Sequence, residues 1–358
     1  MTRLRVVHLV DDTTAGGVMR VLDHITTSVN MARIARHSVR VMDRRSLAVG
    51  RIDADVIVSH LSISWRGLPM LLSLRAANAR ASLVHVEHSY TEAFVAHNVS
   101  RRGRFATLLR TSYALFDRVV AVSHAQGRWL SSRGYVHPDA LVVIQSCADM
   151  AAFRNIDRPK GPVRVIGAIG RLDRQKGFDT LIAAFRNCAE QNIALHIYGK
   201  GCEEAELMRL AYGDPRIRFM GFAGNPVAAM SEVDAVVMPS RWEAYGLVAI
   251  EALSAGRTLL VSAVDGLIDH EPLGAHVVHA SSVRSWSNAI DKLVSGDLPP
   301  ARPNQGLEND TLEARFEHMW QKLLGALNPS LMIKNTPIPA EELRSSVGAS
   351  ERLSHLLQ

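Results

Sequence analysis

The chain has 358 residues, 47% apolar and 21% charged, the composition of a soluble globular protein with enough residues for two cores. No apolar run reaches the roughly 18 residues of a membrane-spanning helix, and the N-terminal run is too short for a secretory signal. A net charge of +6 suits an anionic substrate or membrane surface, and no zinc-finger, RRM or glycine-clamp motif points to nucleic acid.

Apolar runs that read as strands lie at Leu4–Val10, Asp55–Ser59, Ser82–Val86, Arg118–Val122 and Leu141–Ile144. They recur at Val163–Ile169, Ile193–Tyr198, Arg216–Met220, Asp234–Met238 and Thr258–Ser262. Amphipathic segments lie between most of them, the pattern of parallel sheets with crossover helices. This is too many strands for one comfortable sheet. Arg158-Pro159-Lys160-Gly161-Pro162 reads as a linker. The expected fold is α/β, with two Rossmann-like domains facing a central cleft and ligands at the carboxyl ends of the strands.

In the first half, Gly16-Gly17 follows the first strand and opens a helix. Glycines there let backbone approach a phosphate or sugar without an intervening Cβ. Asp53-Ala54-Asp55 matches an Asp-x-Asp metal pattern, but it precedes its strand and so sits away from the ligand edge; no metal is expected. His60 and His88 each lie just past the carboxyl end of a strand, with His85 as the register alternative to His88. The segment from Ser100 to Phe116 interleaves Arg101, Arg102, Arg104 and Arg110 with apolar residues. It suits an anionic membrane or a solvated helix face packed on the sheet. The three cysteines, Cys147, Cys188 and Cys202, lack metal spacing and fit a reducing cytoplasm without disulfides.

In the second half, Gly170-Arg171-Leu172 leads to Lys176-Gly177 just past a strand, so both cations project at the ligand edge. Tyr198-Gly199-Lys200-Gly201 and Gly221-Phe222 close two further strands. The stretch from Met238 to Gly256 is the most informative. A buried strand ends at Pro239, and a helix from Gly246 to Ala255 is closed by Gly256. That helix is apolar nearly all round, yet it carries Glu251, and Glu243 waits in the loop before it. A buried carboxylate needs hydrogen-bond partners, which the hydroxyls of a ligand can supply. The helix N-terminus, at Gly246 and Leu247, suits a phosphate. A nucleotide sugar needs both.

The sequence Ser-Arg-Trp-Glu243 followed by Glu251-Ala-Leu-Ser-Ala-Gly closely resembles the Glu-x7-Glu signature of retaining GT-B glycosyltransferases, in particular glycosyltransferase family 4 (group 1). The resemblance implies that Glu243 contacts the donor sugar and Glu251 the ribose. The family's usual Glu-Gly-Phe-Gly is Glu-Ala-Tyr-Gly here, so Ala244 and Tyr245 alter which sugar hydroxyls are met. It further implies that Gly16 and Gly17 touch the donor diphosphate and that His88 bonds the transferred sugar. Arg171 and Lys176 then clamp the phosphates and neutralise the departing nucleoside diphosphate. Gly199 and Gly201 would lie on the nucleotide side, with Phe222 where backbone groups meet the base. Asp265-Gly266-Leu267 stands where the family has a Gly-Gly turn.

The implied domains are an acceptor-binding domain at 1–155, a nucleotide-sugar-binding domain at 163–303, a helix at 304–327 crossing back to the N-terminal domain, and a tail at 328–358. The implied reaction is metal-independent, retaining transfer of a sugar from a nucleoside-diphosphate donor to a hydroxyl acceptor, with no cofactor. A lipid-linked saccharide or glycolipid acceptor in polysaccharide biosynthesis would bring the protein peripherally to the cytoplasmic membrane face, through Arg101, Arg102 and Arg104. Two rivals are a GT-B-like sugar-nucleotide epimerase, and a catalytically silent scaffold that binds a sugar nucleotide.

Overall fold

The computed structural model describes residues 3–14, 16–299 and 311–328. Among these, two six-stranded sheets carry the fold. The first is built from β1 (Arg5–Val10), β2 (Arg36–Val41), β3 (Val56–Ser59), β4 (Ser82–Glu87), β5 (Arg118–Ala121) and β6 (Leu141–Val143), in the order β2-β1-β3-β4-β5-β6. The second is built from β7 (Val165–Ile169), β8 (Ala194–Tyr198), β9 (Ile217–Gly221), β10 (Ala235–Met238), β11 (Thr258–Ser262) and β12 (His276–Val278), in the order β12-β11-β10-β7-β8-β9. Every pairing is parallel.

Parallel strands covered by helices on both faces are apolar throughout. Accordingly β3 (VIVS) and β10 (AVVM) are buried at every residue. The two strands with no counterpart in the sequence reading, β2 and β12, are edge strands. Arg36, Ser38 and Arg40 of β2 face solvent, so no apolar run betrays it. β12 is only three residues long.

Contacts divide the chain into two units. One takes in the described residues of Met1–Tyr90, Asn98–Ala148 and Glu308–Gln358, the other those of Thr91–His97 and Asp149–Leu307. The short segment Thr91–His97 thus sides with the second unit, unlike the boundary read from the sequence. The core of the second unit packs Phe178, Leu181, Ile182 and Phe185 of the Phe178–Arg186 helix against Trp286, Ile290 and Leu293 of the Val283–Ser295 helix. Each such buried side chain contributes roughly 1.5–3 kcal/mol.

The last described helix, Leu312–Leu327, is capped by Thr311, whose hydroxyl accepts from Ala314 N at 3.1 Å. It belongs to the first unit. Glu317 accepts from Ser28 Oγ at 2.7 Å and from Asn30 Nδ2 at 2.9 Å, while Trp320 stands edge-on to His8. The return segment before Thr311 and the tail after Asn328 lie outside the described residues. No helix among the described residues is long and apolar enough to cross a membrane.

Candidate active site

The second unit gathers its functional side chains by stacking two loops. Just past β7 a tight turn, Arg174–Lys176, leads to Gly177 in the left-handed region (φ 67°) and then to a helix. A Cβ on Gly177 would lie 2.3 Å from the Pro239 carbonyl oxygen, so glycine is obligatory where the two loops touch. Gln175 locks them together: its carbonyl accepts from Arg241 N at 2.7 Å, and its side-chain amide donates to Trp242 O at 3.1 Å. The Arg241 guanidinium reaches back to Asp179 at 2.6 Å.

This clamp brings Lys176 Nζ to 2.5 Å from Glu243 Oε2. Both side chains are largely enclosed, 14% and 13% exposed. Two groups singled out by the sequence thus form one charge-assisted hydrogen bond. Arg171 is placed differently. Its side chain is 73% exposed and held within its own loop, by Gln175 Oε1 at 2.9 Å and Asp173 Oδ2 at 3.4 Å.

Glu251 is 1% exposed on the Leu247–Ser254 helix, as its apolar surroundings require. Gly246, at φ 90°, starts that helix against Leu267, which a Cβ would meet at 2.9 Å. Leu247 opens it. Ala244 and Tyr245, which depart from the family's usual loop, turn their side chains inward. Both are buried, and the Tyr245 ring packs on His270 at 4.6 Å between centroids. Burial holds His270 below the usual imidazole range. Its Nε2 donates to the Tyr245 carbonyl at 2.8 Å.

Asp265 has a role that the sequence reading did not give it. It adopts φ 41°, the one non-glycine residue at positive φ among those described. Its carboxylate accepts from Thr91 Oγ1 at 2.6 Å, Ala93 N at 3.1 Å and Glu243 N at 3.3 Å. A glycine would supply the φ but none of these bonds. Burial raises the Asp265 pKa, and the same bonds oppose the rise. The carboxylate therefore orients the backbone of Glu243 and fastens Thr91–His97 to the second unit. The signal was present in the sequence as an Asp in place of an expected glycine.

The other glycines differ in kind. A Cβ on Gly199 would sit 1.8 Å from Gly170 O, and one on Gly201 2.2 Å from Leu172 O. Close stacking of the β7 and β8 exit loops is enough to require both. Gly16 is extended (φ −176°), and a Cβ there would meet nothing nearer than Thr14 O at 3.7 Å. Gly17 begins the helix that follows. Phe222, just past β9, is 59% exposed.

In the first unit His88 follows the end of β4, whereas His85 is buried within the strand, its Nε2 3.5 Å from Glu87 Oε2. Burial works against ionised Glu87, but the nearby His85 ring and hydrogen bonds from Tyr113 and the Tyr90 amide outweigh it and lower the pKa. His88 Nε2 lies 2.8 Å from His60 Nδ1. His60 in turn meets His8, a residue the sequence reading passed over. Burial brings His88 down to about 4, so the ring is neutral at pH 7.

Arg101, Arg102 and Arg104 are exposed, and Arg104 stacks over Trp65 at 5.4 Å. Beside them Trp65, Ser100, Arg101, Arg104 and Phe105 line an open cavity of about 250 Å³. Asp53 and Asp55, the pair set aside as metal ligands, are taken up by Arg5. No group of three or more His, Cys, Asp or Glu among the described residues is placed to hold a metal ion.

Two family models match the chain, "Glycosyltransferase Family 4" over residues 7–151 and "Glycosyl transferases group 1" over residues 163–296. Granule-bound starch synthase 1 of Arabidopsis thaliana is 34% identical over 213 residues, 53% of this chain and 34% of that protein. Glycogen synthase of Mycobacterium tuberculosis is 34% identical over 118 residues, 31% of this chain and 28% of that protein. The chain thus spans about a third of the length of these curated relatives. Among solved structures, sucrose-phosphate synthase of Thermosynechococcus elongatus has a TM-score of 0.63 at 18% identity, over 99% of this chain and 100% of that one. Anabaena HepE in complex with UDP has a TM-score of 0.62 at 14% identity, over 97% of this chain and 100% of that one. These structures share the fold, and the matched models with the Glu243-to-Glu251 loop and helix place the chain in the group 1 glycosyltransferases of family 4.

Proposed function

We propose that this protein transfers a sugar from a nucleoside-diphosphate donor to a hydroxyl acceptor, with retention of configuration and without a metal. The observation that carries the reading is the enclosed Lys176–Glu243 pair at the carboxyl edge of the second sheet. Each charge compensates the other. A donor offers both better partners: phosphate oxygens for the ammonium and sugar hydroxyls for the carboxylate. The donor would therefore exchange one internal ion pair for contacts along its own length.

Lys176, helped by Arg171 and the Gly246–Leu247 amides, would hold the diphosphate as charge grows on its departing oxygen. Glu251 would take the ribose, and His88 would serve the transferred sugar. The acceptor hydroxyl would attack from the face the diphosphate leaves, and a leaving phosphate oxygen would take its proton. Positioning does most of the catalysis in such a step. HepE was solved with UDP-glucose, so a uridine-diphosphate sugar is the first donor to try. Arg101 and Arg104 of the Trp65 cavity, with the exposed Arg102, suit a lipid-linked saccharide presented at an anionic surface.

Replacing Lys176 with Met keeps the aliphatic stem and removes the charge. Turnover of a nucleotide sugar, assayed as release of nucleoside diphosphate, should fall about 100-fold or more. Unchanged turnover in a folded Lys176→Met protein would refute the assignment. Donor conversion without any acceptor, to an epimer rather than to a glycoside, would point to the epimerase instead.

A further inference from the structure

Four imidazoles cross the first sheet in one hydrogen-bonded file. His37 Nδ1 lies 3.0 Å from His8 Nε2, His8 Nδ1 lies 3.0 Å from His60 Nε2, and His60 Nδ1 lies 2.8 Å from His88 Nε2. The rings come from β2, β1, the exit of β3 and the exit of β4, which is the strand order of the sheet. Every contact joins Nδ1 of one ring to Nε2 of the next.

A neutral imidazole has one N–H and one bare nitrogen. At these separations two N–H groups cannot face each other, and two lone pairs gain nothing by doing so. With one proton per ring, every contact is a hydrogen bond only if all rings are protonated on Nε2 or all on Nδ1. A single mismatch in such buried contacts disfavours an arrangement about tenfold or more. Burial keeps the rings uncharged: His8 and His60 lie well below the usual imidazole range, and His37 and His88 lie at about 4. At the far end His37 Nε2 is shielded from solvent, and the Met31 main chain beside the ring favours its protonation against burial. A main-chain group at that end biases the polarity of the whole file.

We propose that His37, His8 and His60 are positioning residues that act as one unit to fix which nitrogen of His88 bears the proton, and hence whether His88 Nδ1 donates to or accepts from a ligand oxygen. What His88 serves rests on the proposed sugar transfer; the shared tautomer does not. A sugar hydroxyl can meet either form, but a phosphate oxygen can meet only the donor. The file therefore selects the ligand groups that His88 can bind.

The test is long-range proton–nitrogen NMR of the full chain labelled with 15N-histidine, at pH 7.5 without ligand. The four rings should carry their protons on the same-named nitrogen. His37→Asp puts an acceptor-only oxygen near the place of Nδ1, which draws the proton of every following ring to Nε2. His37→Lys puts a donor there and drives the protons to Nδ1. His88, three rings away, should differ in tautomer between these two variants. Differing tautomers within the unmodified file, or the same His88 tautomer in both variants, would overturn the proposal. If either variant fails to fold, the unmodified chain still decides through the first criterion. Neither reading requires turnover, so failure of the transfer reaction and failure of the file are told apart.

Discussion

The carboxyl edges of the two sheets solve one problem by opposite means. Both place polar groups where apolar strands end, and both must satisfy them. The second unit uses opposite charges and backbone: Lys176 on Glu243, Arg241 on Asp179, and glycine loops stacked at contact distance. The first unit uses uncharged rings, His60 and His88 at the edge and His8 and His37 within strands behind them, each satisfying the next, with Glu87 bonded by Tyr113 and main-chain amides. A charged pair must be held in position, because its desolvation cost is met only in good geometry. A neutral file must be kept neutral, because it has no counter-charge. Rigid backbone should therefore matter most in the second unit, and pH in the first.

The largest effect is expected from glycine. Gly199, at φ 152°, would drive a Cβ to 1.8 Å from the Gly170 carbonyl. No side chain can move aside there, because the obstacle is backbone. Gly199→Ala should lose more than about 4 kcal/mol or fail to fold, read by urea denaturation. Gly16→Ala is the contrast in the first unit. The extended backbone and the 3.7 Å clearance of Gly16 predict a loss of about 1 kcal/mol or less. If Gly16→Ala folds well but binds donor more weakly, the glycine is there for ligand approach. Equal tolerance at both positions would erase the distinction between the units.

The next effect is the pH dependence of stability. His37 and His88 lie at about 4 in the fold, against about 6.5 when unfolded. Between those values the unfolded chain binds the extra protons. Stability is therefore complete above about pH 6.5 and is lost as pH falls toward 4, by about 1.4 kcal/mol per pH unit for each ring that stays neutral. His270 in the second unit adds to the loss with the same sign. A variant must therefore assign it: His37→Gln should reduce the slope between pH 6 and about 5 by roughly one ring's share. A slope unchanged in that variant would mean that His37 is not held neutral.

The contrast also explains what could be read from the chain. The buried strands were legible because burial on both faces demands unbroken apolar runs. The edge strand β2 was not, because Arg36, Ser38 and Arg40 point to solvent. Glu251 stood out as a carboxylate on an apolar helix, and Glu243 and Lys176 through the resemblance of their loops to those of the family. His8 and His37 did not, because a lone histidine in a strand has no meaning until sheet order sets it beside another. The glycines were seen, but what presses on Gly199 and Gly201 comes from a different loop. Asp265 showed only as a departure from an expected glycine. Its partners Thr91 and Ala93 lie more than a hundred residues away in sequence.

The smallest effect on stability is expected at Phe222, and its smallness is informative. Phe178 is 2% exposed in the core of the second unit, whereas Phe222 is 59% exposed past β9. An aromatic ring left in water contributes little to folding, so Phe222→Ala should change stability by no more than about 0.5 kcal/mol. Stacking of a nucleobase on such a ring is worth about 1–3 kcal/mol. If Phe222 meets the base of the donor, the same variant should weaken binding of nucleoside diphosphate about tenfold, measured by calorimetry, with the denaturation midpoint unmoved. Unaltered affinity would remove Phe222 from the nucleotide site and leave the base to backbone groups past β9. A large loss of stability would show instead that the ring is packed in solution, and that backbone and charge are not the only means by which the second unit holds its edge.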